Sequence, residues 1–114
     1  MSTHSQRKGQ RAETELADKL CSMGFQCRRT SAMYQWGADA PDVSGIDGIH
    51  IEVKRCERLN LSKAMKQSIR DAQVHETPVV CHRRNREPWM VTVRLDDLEN
   101  LLDAITGERP VIDY

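Results

Sequence analysis

The chain has 114 residues, enough for one domain with an ordinary hydrophobic core and no need of metal or disulfide staples. Its 17 basic and 17 acidic residues cancel, but unevenly: 16 basic against 11 acidic residues up to Arg94, then one against six, so a basic body compatible with a polyanion precedes an acidic end. Cys21, Cys27, Cys56 and Cys81 lie far apart without a CxxC pair, and no run of about 18 apolar residues occurs, which argues against a disulfide framework, a zinc site or a membrane span and for a cytoplasmic protein without a signal peptide.

Residues 1–8 are polar and predict a flexible N-terminus ahead of a single domain over residues 9–114. From about Gln10 to Met23, Ala12, Leu16, Leu20 and Met23 recur at helical spacing, and Gly24 stands where a left-handed C-cap belongs. Phe25 to Arg29 reads as a short strand, and residues 30–41, with Gly37, Ala38, Ala40 and Pro41, as a loop. Ile49, Ile51 and Val53 then alternate with His50, Glu52 and Lys54, the pattern of a strand with two unlike faces. A second amphipathic helix is predicted from about Leu61 to Val74, burying Leu61, Met65, Ile69 and Ala72. Pro78 ends that region and Val79 to His82 reads as a buried strand. Arg83 to Pro88 is a polar turn, and Trp89, Val91, Val93 and Leu95 alternate as a further strand. Asp96 or Asp97 caps a last helix whose Leu98, Leu101, Leu102 and Ile105 keep the helical period up to Gly107. The order α-β-β-β-α-β-β-α predicts an α/β domain with one central mixed sheet flanked by helices.

The most informative stretch is Pro41-Asp42, nine further residues, then Glu52-Val53-Lys54. Alternation puts Glu52 and Lys54 on one face of a strand, and whether Asp42 joins them is a question of register. A two-residue turn at Asp47-Gly48 would turn Asp42 to the wrong face. A three-residue loop, Ile46-Asp47-Gly48, sets Asp42 opposite Glu52, and it needs a left-handed residue last, which Gly48 supplies. Opposed carboxylates repel each other, and a hard divalent ion such as Mg²⁺ or Mn²⁺ resolves the conflict; the alternative is three charged residues at a solvated sheet end.

A third carboxylate bears on that choice. At about 100° per residue, Glu13 lies about 60° from the centre of the first helix's apolar face and Glu15 about 100° away on the other side. Glu13 is thus turned toward the interior, where a metal site or an arginine would partner it, whereas Glu15 reads as a solvent residue. Lys63, Lys66, Gln67 and Arg70 share the polar face of the second helix, either tracking a phosphate backbone or simply solvated. Arg28, Arg29, Arg55 and the Arg83–Arg86 turn are further basic candidates, and His50 reads as a sheet-surface histidine.

Lys8-Gly9 followed by Glu13, Ser31 after the first strand, Pro41-Asp42, Glu52-Val53-Lys54 and Gln67 in the following helix together resemble the PD-(D/E)XK nuclease superfamily. Within it the chain is most similar to the archaeal-type Holliday junction resolvases and their phage relatives, over residues 8–70 in order and approximate spacing. The resemblance implies a restriction-endonuclease-like core over residues 9–114 and metal-dependent hydrolysis of DNA phosphodiesters at Holliday junctions or other branched DNA, in recombination or phage replication. Asp42 and Glu52 would hold Mg²⁺, with Mn²⁺ as substitute and the Val53 carbonyl as an extra ligand. Lys54 would orient or deprotonate the attacking water or neutralise the transition state, and Glu13 would complete the metal shell directly or through water. Gln67 would steady the site and Ser31 would contact the scissile phosphate, while Arg28, Arg29, Arg55, Lys63, Lys66 and Arg70 would meet DNA. Paired cuts imply a two-fold homodimer, with Met33, Tyr34, Trp36 or the Trp89 strand as candidate apolar contacts. The alternatives are a nicking or restriction-type nuclease, an inactive DNA-binding module of the same fold, and a small metal-binding or docking protein with no nucleic-acid role.

Overall fold

A computed structural model describes residues 3–30 and 40–107, with side chains from residue 8 onward. The predicted first helix is α1 (Thr3–Ser22), which begins earlier than its apolar periodicity. Ala12, Leu16 and Ala17 are its buried face. It closes as the sequence predicts: the Phe25 N–H donates to Leu20 O at 3.1 Å and the Gly24 N–H to Cys21 O at 3.0 Å, the paired bonds of a Schellman cap.

The strands are β1 (Arg28–Arg29), β2 (Val43–Ser44), β3 (Ile49–Arg55), β4 (Thr77–Arg83) and β5 (Met90–Val93), and they form one sheet in that order. All neighbours are antiparallel except β3 and β4, which run parallel and are joined by α2 (Leu61–Asp71), as a parallel pair requires a crossover. A 3₁₀ turn (Leu95–Asp97) leads into α3 (Leu98–Thr106). Val43 pairs with Ile51, the register of the three-residue loop, and Gly48 takes the left-handed φ of 86° that this loop demands.

Ile49, Ile51 and Val53 of β3 join Val79 and Cys81 of β4 in the core beneath α1, with Leu101 of α3 closing it. The opposite face of β3 lies under α2. There the structure departs from the sequence pattern, since the most buried residues of α2 are Ala64, Ser68 and Asp71, while Leu61, Met65, Ile69 and Ala72 are only half-buried. The reason is a close approach that small side chains permit: Ser68 Oγ donates to Val79 O at 3.0 Å and lies 3.4 Å from His50 O. A second departure concerns α3, whose Leu98, Leu102 and Ile105 are exposed, as are Met90 and Val91 of β5 and Leu95. No helix among the described residues is long and apolar enough to cross a membrane.

Candidate active site

Asp42 stands where β2 leaves the β3 ladder. Its N–H donates to Ile51 O at 2.9 Å, while its carbonyl turns the other way and accepts the Thr30 N–H at 3.0 Å. The side chain then substitutes for the next ladder rung: Asp42 Oδ2 accepts the Val53 N–H at 2.9 Å. This clamps the carboxyl group against β3 beside Glu52. Two residues further along the same face, Lys54 Nζ lies 3.5 Å from Gln67 Oε1 on α2. Glu13 comes from α1, half-buried, with its Oε1 4.0 Å from the Arg29 guanidinium.

The electrostatics tie these groups into one site. Burial, then the neighbouring Glu52, pushes the Asp42 pKa up to about 7; the Val53 N–H opposes the shift and Glu13 adds to it. Glu13 is raised too, chiefly by burial, with Arg29 and Lys54 pulling it down and Glu52 pushing it up. Carboxyl groups crowded so that one holds its proton near neutrality are a set awaiting a cation. Oxygen donors of this kind fit a hard divalent ion, so Mg²⁺ or Mn²⁺ suits the residues present.

The same face holds a group that the sequence reading missed. His50, expected at the sheet surface, has no exposed area, and its Nε2 lies 2.9 Å from Glu52 Oε1. Asp71 of α2 comes down beside them, so that His50, Glu52 and Asp71 each offer a ligand atom within 4.8 Å of the others, an arrangement able to chelate a divalent metal. Behind the ring, Glu76 Oε1 is 3.6 Å from His50 Nδ1. Burial opposes charge on this histidine, yet the carboxylates of Glu52, Glu76 and Asp71 outweigh it and raise its pKa. One signal in the chain bore on this, the alternation that sets His50 on the face of Glu52.

The basic candidates fall into two groups. Lys63, Lys66 and Arg70 stand exposed along α2, where Arg70 Nε also donates to Asp71 Oδ1 at 3.2 Å, and Arg28 is exposed on β1. Arg55 is already engaged, by Glu15 at 3.6 Å and Asn85 at 3.3 Å, and Arg83 reaches the other oxygen of Glu15 at 2.8 Å while lying over the Trp89 ring. Glu15, read from the sequence as a solvent residue, is therefore the anchor of a two-arginine cluster. Ser31, Met33, Tyr34 and Trp36 lie outside the described residues. An open cleft of about 540 Å³ is lined by Arg28, Thr30, Pro41, Ser44 and Glu76 among others. Neither Asp42 nor Glu52 lines it.

A mixed sheet carrying Asp42, Glu52 and Lys54 at the divergence of two strands, with Glu13 reaching in from the first helix, is the architecture of the PD-(D/E)XK superfamily. The model of the family described as "Phage putative PDDEXK endonuclease" matches residues 4–113, and the chain belongs to that family. No curated protein matches it. Among solved structures it is similar to Hjc of Archaeoglobus fulgidus, a Holliday junction resolvase from an archaeal hyperthermophile. The TM-score is 0.58 and the identity 26%, over 75% of this chain and 72% of that one. The chain thus has a PD-(D/E)XK-type nuclease fold and a His/Glu/Asp cluster with metal-ligand geometry.

Proposed function

We propose that this protein is a divalent-metal-dependent endodeoxyribonuclease acting on four-way junctions or other branched DNA. The observation that carries the reading is the carboxylate pair itself: Asp42 clamped onto β3 by the Val53 N–H, beside Glu52, with a pKa raised to about 7. The resemblance to Hjc supports the choice of branched DNA over other substrates.

In this reading Asp42 and Glu52 hold Mg²⁺, or Mn²⁺ in its place, aided by the Val53 carbonyl and by Glu13 directly or through a water. When bound, the ion supplies Lewis acidity and lowers the pKa of its water. The chain's own residues do the rest. Lys54, held toward α2 by Gln67, orients the attacking water or meets the charge that develops on the phosphate as water adds and the bridging P–O bond breaks. Lys63, Lys66 and Arg70, exposed on the helix that supplies Gln67, would grip flanking phosphates, with Arg28, Arg29 and Ser31 as further contacts and Arg55 meeting DNA only on leaving Glu15. A junction cut on two strands calls for two copies related by a two-fold axis.

The test is cleavage of a labelled four-way junction beside linear duplex, flap and single strand, in Mg²⁺ and in EDTA. Paired symmetric nicks in the junction, lost in EDTA and in Glu52→Ala, are expected. Equal cutting of every substrate would leave a nuclease without a junction preference. DNA binding with no cleavage under any metal would reduce the protein to an inactive module.

A further inference from the structure

His50 is not among the residues that the nuclease reading uses, yet it is fully buried and bonded to the carboxylate on which that reading depends. Glu52 is 2% exposed, so without a donor its carboxylate would lie desolvated and free to change rotamer. The ring that meets it is itself fully buried. Its backbone carbonyl lies 3.4 Å from Ser68 Oγ, and its Nδ1 faces Glu76 Oε1 at 3.6 Å and has no hydrogen-bond partner among the described residues. Glu76 in turn is held by the turn before β4, where Oε1 accepts the Gln73 N–H at 2.9 Å and the Glu76 N–H donates to Gln73 O at 2.9 Å. A chain of groups therefore runs from the turn before β4 through an imidazole to Glu52, which Asp42 also meets.

We propose that His50 is a positioning residue: its Nε2–H holds Glu52 Oε1, with Glu76 facing the other ring nitrogen, and so fixes the Glu52 carboxylate in the orientation that lets it share a cation with Asp42. The inference rests on the reading of Asp42 and Glu52 as metal ligands. Outer partners of a ligand carry a large share of a metal site's affinity, because they remove the entropy of orienting it. The donor is a matter of reach. Glutamine can set an amide N–H near the place of His Nε2, whereas asparagine, one methylene shorter, cannot.

The experiment is a comparison of His50→Gln, His50→Asn and His50→Leu with the unaltered protein, by Mn²⁺ titration followed in the EPR spectrum. Circular dichroism and melting in EDTA establish which variants are folded. His50→Gln is expected to keep Mn²⁺ affinity within about threefold, while His50→Asn and His50→Leu weaken it by roughly 10- to 100-fold, with DNA affinity in EDTA unchanged for all. Should His50→Leu fail to fold, the Gln–Asn pair alone decides. Pulsed EPR of the unaltered protein should show no directly coordinated nitrogen. Equal Mn²⁺ affinity in the Asn and Gln variants would overturn the positioning role, and a coordinated nitrogen lost in His50→Gln would replace it with direct ligation. Failure of the unaltered protein to bind Mn²⁺, or binding indifferent to Glu52→Ala, would bring down the ligand reading itself and this inference with it.

Discussion

In the reading of Asp42 as a metal ligand, a proton and a cation compete for its carboxyl group. Its pKa is raised from 3.8 to about 7 in the folded chain, first by burial and then by Glu52. The protonated form is therefore favoured by folding, and the stability it contributes is complete below the usual carboxylate range and lost as pH rises through about 7. His50, also raised, changes in the same direction. In EDTA the melting temperature should fall between about pH 5 and pH 8, and Mg²⁺ should restore it most at the upper end. Asp42→Asn isolates the residue. Its amide oxygen can still accept the Val53 N–H and its NH₂ can donate to Glu52, so the variant should melt higher than the parent in EDTA at pH 8 while cleavage drops to background. An unchanged pH profile in Asp42→Asn would mean that another group carries the effect. Asp42, Glu52, Lys54 and Glu13 could be singled out from the sequence because register, alternation and helical phase fix direction, whereas Gln67 was reached only through the family resemblance. The burial of His50 and the arrival of Asp71 could not, because direction along a strand says nothing of how closely a helix from elsewhere will pack over it.

At the scale of elements, register was readable and helix rotation was not. Within Ile46-Asp47-Gly48, between β2 and β3, Gly48 alone takes a left-handed φ, which fits the three-residue loop and not a two-residue Asp47-Gly48 turn, which needs a left-handed φ at Asp47 as well. For α2, hydrophobicity pointed to Leu61, Met65 and Ile69, but the tightest contact goes to small residues that let Ser68 reach strand carbonyls. A comparable close approach holds β2 against β1. At Gly45, where φ is 131°, an added Cβ would collide with Gln26 O and sit 2.7 Å from Cys27 Cα. Gly45→Ala should therefore cost about 1–3 kcal/mol of stability, measured by urea unfolding. Because Asp42 stands at the other end of this short strand, cleavage should fall further than the fraction unfolded accounts for. A loss of activity matching only the unfolded fraction would show that β2 shifts without disturbing Asp42.

For the whole molecule, the zero net charge conceals a working division of surfaces. Lys63, Lys66 and Arg70 lie on the exposed face of α2, Arg70 also 3.2 Å from Asp71, whereas Arg55 and Arg83 are taken up by Glu15. If the first three each neutralise a phosphate, replacing all of them by alanine should flatten the slope of log K against log salt by about 2–3. Arg84→Ala with Arg86→Ala, in the turn after β4, should leave that slope nearly unchanged. Filter binding across a salt series, on an uncleavable junction in EDTA, distinguishes the two; equal slopes in both multiple variants would move the DNA path off α2.

The apolar side chains beyond the core bear on how many copies work together. β5 ends the sheet order, with Met90 and Val91 more than half exposed, and Leu95 at 81% and Leu102 at 51% continue the apolar surface into the next two elements. A lone exposed leucine needs no explanation, but an edge strand uncovered among the described residues and followed by exposed leucines is a surface that folded proteins cover or charge. A second copy would cover it and would also supply the second active site that paired junction cuts require. The chain should therefore sediment as a dimer at micromolar concentration, and Val91→Lys or Leu102→Glu should give a folded monomer with an unchanged melting curve for its core. Such a monomer should still bind metal, since Asp42, Glu52 and Glu13 all come from one chain, but its junction nicks should become independent rather than paired. A parent protein that is monomeric under cleavage conditions and still nicks both strands in concert would exclude this surface as the dimer contact and the two-fold mechanism with it.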